Sequence, residues 1–244
     1  MIPEGQKVLV VIPAYNEHGR IGEVVRAVKG VLPSAKILVV NDCSSDDTGK
    51  EAVDAGAFVV THIINLGYGA ALETGYLYAL QYGYELIVQM DGDGQHLPDE
   101  VPKILAPVLD GEADIVIGSR YLPSQNTYKT PLARKAGQKF FGMILSLITR
   151  YQITDPTSGF QCLNRKAFDL FTRGQFPHDF PDADVLLMAH YAGFRVKEVP
   201  VVMLKRSGGE SMHDGLMPLY YVIKMILAIT MVFLSQRRWK QYVS

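Results

Sequence analysis

The chain has little cysteine, no excess of charge of either sign, and no low-complexity stretch. Its two cysteines, Cys43 and Cys162, cannot build a disulfide framework or a four-thiolate zinc site. A reduced, cytosolic setting is the default that such usage implies. With 24 basic and 25 acidic side chains the net charge is −1, which removes the electrostatic footprint of a bulk nucleic-acid binder. The opening MIPEGQKVLVVIPAYNE lacks a basic region followed by a cleavable apolar segment, so no secretory leader is expected. No linker rich in Pro, Gly or Ser and no internal repeat divides the chain. What remains is ordinary: 48% apolar and 20% charged residues over 244 positions, enough for one large core.

The first half alternates strand and helix signals. Apolar runs at Lys7–Ala14, Lys36–Val40, Ala57–Ile63, Glu85–Met90 and Asp114–Gly118 read as strands. Helical spacing separates them: Ile21–Val31, a short helix to about Ala55 capped from Ser45-Asp46-Asp47, Ala70–Tyr82, and Pro98–Leu109 with its Pro-Asp-Glu start. Strand–helix alternation predicts a mostly parallel sheet with helices on both faces. After Tyr121 the alternation stops. Pro123–Pro131 is a polar loop, Leu132–Thr149 a long apolar helix, Asp155–Phe160 a turn-rich piece, Asp182–Ala192 a helix and Arg195–Leu204 a strand.

The most informative stretch is Gln89-Met90-Asp91-Gly92-Asp93-Gly94-Gln95-His96, directly after the apolar run Leu86-Ile87-Val88. Alternate residues of an extended chain point the same way. Asp91, Asp93 and Gln95 therefore aim two carboxylates and an amide oxygen into one pocket at the carboxyl end of a strand, where open α/β sheets bind ligands. Oxygen donors of this kind suit Mg²⁺ or Mn²⁺, and such ions commonly bring phosphates. A plain Asp-Gly turn competes. A calcium loop does not, because its required Gly and Glu are replaced by His96 and Pro102. His96, out of phase with the ligands, is expected beside the metal rather than on it.

Further stretches sharpen the pattern: VIPAYNE (Val11–Glu17), NDCSSDDT (Asn41–Thr48), NLGYGAA (Asn65–Ala71), GSRY (Gly118–Tyr121) and DPTSGF (Asp155–Phe160). In this order they resemble family 2 glycosyltransferases of the GT-A fold, and among these the polyprenyl-phosphate sugar synthases. The resemblance covers Val8 to about His213. It implies an α/β, Rossmann-like, mostly parallel sheet and an inverting, metal-dependent transfer. The hexose would come from a nucleotide diphosphate sugar of the GDP-mannose or UDP-glucose type and go to a polyprenyl phosphate.

The resemblance also implies residue roles. Pro13, Tyr15, Glu17 and Asp42 fall where the family holds base and ribose. Asp91 lies near ribose and metal, and Asp93 and Gln95 match metal ligands. Gly67, with Gly69 and Ala70, either approaches the nucleotide or lets helix and sheet pack. Arg120 and Arg134 match arginines that grip an acceptor phosphate, a task guanidinium geometry suits. Arg206 matches an arginine in a loop that closes on the donor diphosphate. Cys43 stands where a small Gly or Asn is usual. Asp184 takes the second place of a Glu-Asp pair that supplies a base in family members acting on hydroxyls, and Ala183 the first. Asp184 is then either a base, for a hydroxyl on a saccharide or protein, or a helix N-terminal charge. A phosphate acceptor is already anionic and needs no base. A nucleotidyltransferase is disfavoured because Pro13–Glu17 offers no glycine-rich triphosphate loop, and a non-enzymatic scaffold because the acidic cluster and arginines are intact.

Residues 214–244 form the second unit expected beside a catalytic domain at 1–213. Leu216–Leu234 is almost continuously apolar, interrupted by Pro218 and Lys224 and followed by Gln236-Arg237-Arg238-Trp239-Lys240. Three placements stay open: a helix lying on a membrane surface, which Lys224 and the interfacial aromatics favour; a spanning helix; or a core or oligomer-interface helix. The expected location is the cytoplasmic face of the cell membrane, held peripherally or by this C-terminal segment. A small membrane protein or a second copy of the chain is left open as a partner.

Overall fold

The computed structural model describes residues 2–3, 5–123, 132–173, 176–179, 181–204 and 217–239, with 132–136 and 217–221 as backbone only. Among the described residues the strands form one seven-stranded sheet. They are β1 (Val8–Ala14), β2 (Lys36–Asn41), β3 (Phe58–Thr61), β4 (Leu86–Gln89), β5 (Ile115–Ser119), β6 (Gln161–Asn164) and β7 (Val196–Pro200), in the order β3-β2-β1-β4-β6-β5-β7. All pair parallel except β6, which runs antiparallel to both neighbours. β1 is buried along its whole length, as a continuous apolar run in a central parallel strand requires. Alternate residues serve opposite faces: Leu9 and Val11 join one core layer, Val10 and Ile12 the other.

Helices α1 (Ile21–Val31), α2 (Thr48–Asp54) and α4 (Val101–Leu109) contribute to the core on one face. α1 buries Ile21, Val24, Val25 and Val28, the i, i+3, i+4, i+7 stripe that its spacing predicts. The other face carries α3 (Tyr68–Gln81), α5 (Leu132–Thr149), α6 (Arg165–Phe171), α7 (Ala183–Tyr191) and α8 (Met217–Leu234), with α9 (Gln236–Trp239) following. α3 lies close on β1 because Gly75 has no side chain: a Cβ there would press well inside van der Waals contact with the Val11 side chain.

Two elements escape a sequence reading, β6 and α6. QCLN is too short to show a period, and it is a strand only because β4 and β5 bond it from both sides. Its antiparallel direction matters for function. β6 begins where β4 and β5 end, with Gln161 opposite both Gln89 and Ile117. The DPTSGF turn is thereby delivered to the carboxyl edge of the sheet. The last strand is shorter than Arg195–Leu204. After Pro200 the chain turns across the sheet edge, where Met203 pairs with His96 and the Leu204 N–H donates to the Gln95 carbonyl at 2.9 Å.

The C-terminal expectation needs correction. Among the described residues no helix is long and apolar enough to cross a membrane, so a spanning anchor is not supported. α8 instead packs against α7 and buries Met225, Ile229 and Val232 along one stripe. Its remaining surface is still apolar, with Ile223, Ile226, Leu227, Met231, Phe233 and Leu234 exposed.

The tight seat of α3 generates a stability prediction. Gly75→Ala overpacks the helix–sheet contact and lowers stability by about 1–3 kcal/mol. In thermal unfolding this appears as roughly 2–4 °C per kcal/mol for a chain of this size. Adding Val11→Ala to Gly75→Ala recovers part of the loss, so the two changes are non-additive in a double-mutant cycle. Additive losses would show that the contact is not what seats α3.

Candidate active site

Three adjacent strands end side by side. Ala14 of β1 is in register with Asn41 of β2, the Asp42 N–H donates to the Ala14 carbonyl at 2.9 Å, and the Met90 N–H donates to the Val11 carbonyl at 3.2 Å. Pro13, Tyr15, Asp42 and Asp91 therefore lie at or just beyond the carboxyl ends of three adjacent strands. The Asp91–Gly94 turn folds back against β1: a Cβ on Gly92 would lie 3.2 Å from Ile21 and 3.4 Å from the Pro13 carbonyl. Tyr15 is exposed at the rim, where a planar ligand can meet it. Glu17 is buried and pairs with Arg20 at 2.6 Å.

Asp42 is already engaged. Its carboxylate accepts the backbone N–H groups of Leu66 and Gly67, both at 2.8 Å. His62 Nδ1 sits 2.7 Å from Oδ1, and His62 Nε2 lies 2.9 Å from the Thr74 hydroxyl. Asp42 thus anchors the Asn65–Gly67 loop to the end of β2. The loop packs against the Pro177–His178 backbone. The N-terminal N–H groups of α3, on Gly69 and Ala70, donate to the His178 carbonyl, and a Cβ on Gly67 would lie 2.8 Å from that oxygen. Gly67 also has φ +98°, open to glycine and strained for other residues. Cys43 has φ +61°, which explains why Gly or Asn would suit its place.

Asp91 is held from several sides. The Tyr68 hydroxyl donates to Oδ1 at 2.8 Å, and the Asp91 N–H donates to His96 Nδ1 at 3.0 Å. His96 is buried, stacks on Phe160 with ring centroids 4.9 Å apart, and brings Nε2 to 3.6 Å from Asp91 Oδ2. It therefore stands beside the acidic turn. Burial, and after it the neighbouring Asp91 charge, raise the Tyr68 phenol well above its usual range, so it stays a donor. Asp93 Oδ1 accepts the Gln95 N–H at 3.0 Å, which closes the turn. Among the described residues no group of three or more His, Cys, Asp or Glu is placed to hold an ion. Two carboxylates and an amide oxygen still fit a cation that completes its shell with water and phosphate.

The arginines divide. Arg120, half-buried with its side chain 7% exposed, forms a two-pronged pair with the fully buried Asp155: Nε to Oδ2 at 2.7 Å and Nη2 to Oδ1 at 2.6 Å. Nη2 also reaches the Thr157 hydroxyl at 3.1 Å. An acceptor phosphate would have to meet the edge that Asp155 does not cover. Glu198 of β7 accepts the backbone N–H groups of Thr154 and Asp155 and fixes that turn. Burial raises its carboxyl above the usual range. Arg134 lies in α5 with its side chain outside the described residues, and Arg206 lies outside them altogether. Asp184 sits in the first turn of α7, buried, with Oδ1 accepting the Val185 N–H at 3.0 Å and the Asp182 N–H at 3.2 Å. Burial pushes its carboxyl up to about 6, against its backbone donors and Lys224.

Sequence reading missed Tyr68, His62, Asp155 and Glu198 as site-building residues. Tyr68 and Asp155 lie inside the quoted motifs NLGYGAA and DPTSGF, which carried a usable signal. His62 and Glu198 have none, because only tertiary contact brings them to their partners.

A mostly parallel sheet that gathers polar side chains at the carboxyl ends of adjacent strands defines an open α/β protein with its site at that edge. The family model for Glycosyl transferase family 2 matches residues 9–171, and the chain belongs to that family of glycosyltransferases. Its relatives include the undecaprenyl-phosphate mannosyltransferase of Micrococcus luteus, 32% identical over 86% of this chain and 88% of the relative. Another is the polyprenol monophosphomannose synthase of Mycolicibacterium smegmatis, 33% identical over 86% of this chain and 82% of the relative. Among solved structures the fold is shared with glucosyl-3-phosphoglycerate synthase of Mycobacterium tuberculosis, crystallised with Mn²⁺, uridine diphosphate and glucosyl-3-phosphoglycerate. That match has a TM-score of 0.72 at 19% identity and covers 93% of this chain and 81% of the synthase.

The raised Asp184 carboxyl gives a signed pH dependence. Its folded value, about 6, exceeds the unfolded 3.8, so ionisation weakens the fold. The stability that protonated Asp184 contributes is complete below pH 3.8 and is lost as pH rises through about 6. Asp184→Asn removes that slope. Measured by thermal melts, the variant gains on wild type between those two values and the difference is flat above neutrality. A pH-independent difference would contradict the burial account.

Proposed function

We propose that the protein is an inverting, metal-dependent transferase that moves a hexose from a nucleotide diphosphate sugar to a polyprenyl phosphate. GDP-mannose and UDP-glucose are the donor types. The observation that carries this reading is the sheet edge at which Pro13, Tyr15, Asp42 and the Asp91–Gln95 turn are brought together by three adjacent strand ends. The names of the relatives at 32% and 33% identity support the acceptor.

Asp91, Asp93 and Gln95 would hold Mg²⁺ or Mn²⁺, consistent with the Mn²⁺ in the structural neighbour. When bound, the cation supplies Lewis-acid neutralisation of the departing diphosphate. The residues of the chain supply the rest. Pro13, Tyr15, Glu17 and Asp42 form the base and ribose end, with Gly67 bound to Asp42. Arg120 and Arg134 would orient the acceptor phosphate, and Arg206 would pair with the donor diphosphate. A phosphate oxygen attacks the anomeric carbon from the side opposite the leaving group. The new C–O bond forms as the bond to the diphosphate breaks, the electron pair leaves with the nucleoside diphosphate, and the configuration inverts.

Next to Arg120 is a cavity of about 390 Å³ whose lining includes Tyr121, Gln138, Met143 and Ile153. Gln138 links it to the arginine by donating to Thr157 at 2.8 Å. An anion-binding group beside an apolar cavity suits a phosphate carrying a prenyl chain. The exposed Phe140, Met143 and Leu147 of α5 and the apolar face of α8 suit a membrane surface. In this reading residues 1–213 are catalytic and 214–244 lie against the cytoplasmic face of the membrane. Transfer to a saccharide or protein hydroxyl is the second reading. The Asp184 value of about 6 favours a base there. Its burial, and the two N–H groups its oxygen accepts, favour a structural charge at the start of α7.

The test is incubation of the protein with Mg²⁺ or Mn²⁺, undecaprenyl phosphate and radiolabelled UDP- and GDP-sugars. Label is then counted in the organic phase. One donor is expected to transfer. Asp93→Ala is expected to lose roughly 10²–10³-fold in turnover, the usual scale for removing one preorganised stabiliser of developing charge, while its melting curve stays two-state. Full activity in Asp93→Ala would sink the metal assignment.

A further inference from the structure

Tyr68 opens α3 directly after Gly67, yet its side chain turns inward to Asp91. Its hydroxyl has two partners. It donates to Asp91 Oδ1 at 2.8 Å and accepts from Gln89 Nε2 at 3.4 Å. Gln89 is itself oriented, because its Oε1 accepts the hydroxyl of the fully buried Tyr76 at 2.6 Å. The chain Tyr76–Gln89–Tyr68–Asp91 therefore has every donor aimed towards Asp91. Aligned hydrogen bonds of this kind polarise one another in a low-dielectric interior.

A third motif closes on the same point. A Cβ on Gly159 would lie 2.6 Å from the Tyr68 hydroxyl and 3.1 and 3.3 Å from the two Asp91 carboxylate oxygens. The bare backbone of the DPTSGF turn is what leaves room for the phenol–carboxylate pair. On the other side, the Asp91 N–H is bound to His96.

We propose that Tyr68 is the positioning residue of the donor site, its hydroxyl fixing the Asp91 carboxylate in the orientation that receives the divalent cation and the donor. This rests on the reading of Asp91 as a metal-side carboxylate. The chemistry of the partner is the argument. A lysine or arginine here would hold the carboxylate equally well but would neutralise it and repel the cation. A phenol fixes one oxygen with a neutral donor and leaves the negative charge of the carboxylate in place, with its other oxygen facing His96 Nε2 at 3.6 Å on one side. Tyr68 thus couples the start of α3 to the acidic turn without weakening the charge the turn presents.

The experiment measures Mn²⁺ binding by electron paramagnetic resonance with GDP or UDP present, and nucleotide binding by calorimetry in excess chelator. Tyr68→Phe removes the hydroxyl and keeps the ring. Its Mn²⁺ affinity is expected to fall about 10–100-fold, the range for partners that orient a metal ligand. Chelator-state nucleotide binding is expected to stay within twofold of wild type, and raised Mn²⁺ to restore most of kcat. A merely structural role would lower the melting temperature and both affinities together. Gly159→Ala, which crowds the same pair without replacing the tyrosine, is expected to weaken Mn²⁺ in the same way, and the double variant to be less than additive. Wild-type Mn²⁺ affinity in both single variants overturns the proposal alone. A wild-type protein that binds no Mn²⁺ with either nucleotide overturns the donor-site reading, and this proposal with it.

Discussion

The parallel register of β2, β1 and β4 is the constraint on which the rest depends. It stops three strands side by side, so that Asn41, Ala14 and Gln89 deliver Asp42, Tyr15 and Asp91 to one edge. Strand ends expose backbone groups that no further ladder satisfies. The chain fills that edge with carboxylates, turns and bound backbone N–H groups. The antiparallel β6 adds a fourth contribution. Running against its neighbours, it brings its beginning to the place where theirs end, and the DPTSGF turn with it.

Charge at this edge is managed by burial with partners. Asp155 is fully buried, yet two guanidinium bonds from Arg120 satisfy it. Its turn is held by Glu198, a half-buried carboxylate that accepts backbone N–H groups. Asp42 is treated likewise by the loop before α3 and by His62. Breaking a buried pair from one side leaves a charge without compensation, which costs more than the pair contributes. These groups hold the walls of the crevice. Asp91 differs: its held oxygen meets only a neutral phenol, and its side chain is about one-third exposed. The charge left open to a ligand is concentrated at the acidic turn.

Much of this was legible in the residues. The central strands and α1 follow directly from apolar runs and helical spacing. The acidic run was placed correctly after β4 but not its geometry: Asp91–Gly94 is a turn closed by Asp93, the competing reading, and not an extended segment whose alternate residues share a face. β6 was not legible, because four residues carry no period and its identity comes from two neighbours distant in the chain. Nor was the engagement of Arg120, since sequence shows a guanidinium but not the carboxylate 35 positions away that claims it. The C-terminal run left three placements open, with a surface helix favoured over a span or a packed helix, because sequence alone could not show that α7 takes up one stripe of α8.

The central claim is a donor crevice that serves an anionic acceptor without a base. The most direct measurement compares two acceptors with the transferring donor: a polyprenyl phosphate and the same polyprenol without its phosphate. The account predicts that only the phosphate is glycosylated, that the product is inverted at the anomeric carbon by NMR, and that Asp184→Asn transfers at nearly the wild-type rate. Equal use of the alcohol, with transfer lost in Asp184→Asn, would contradict it and make Asp184 the base of a hydroxyl glycosyltransferase.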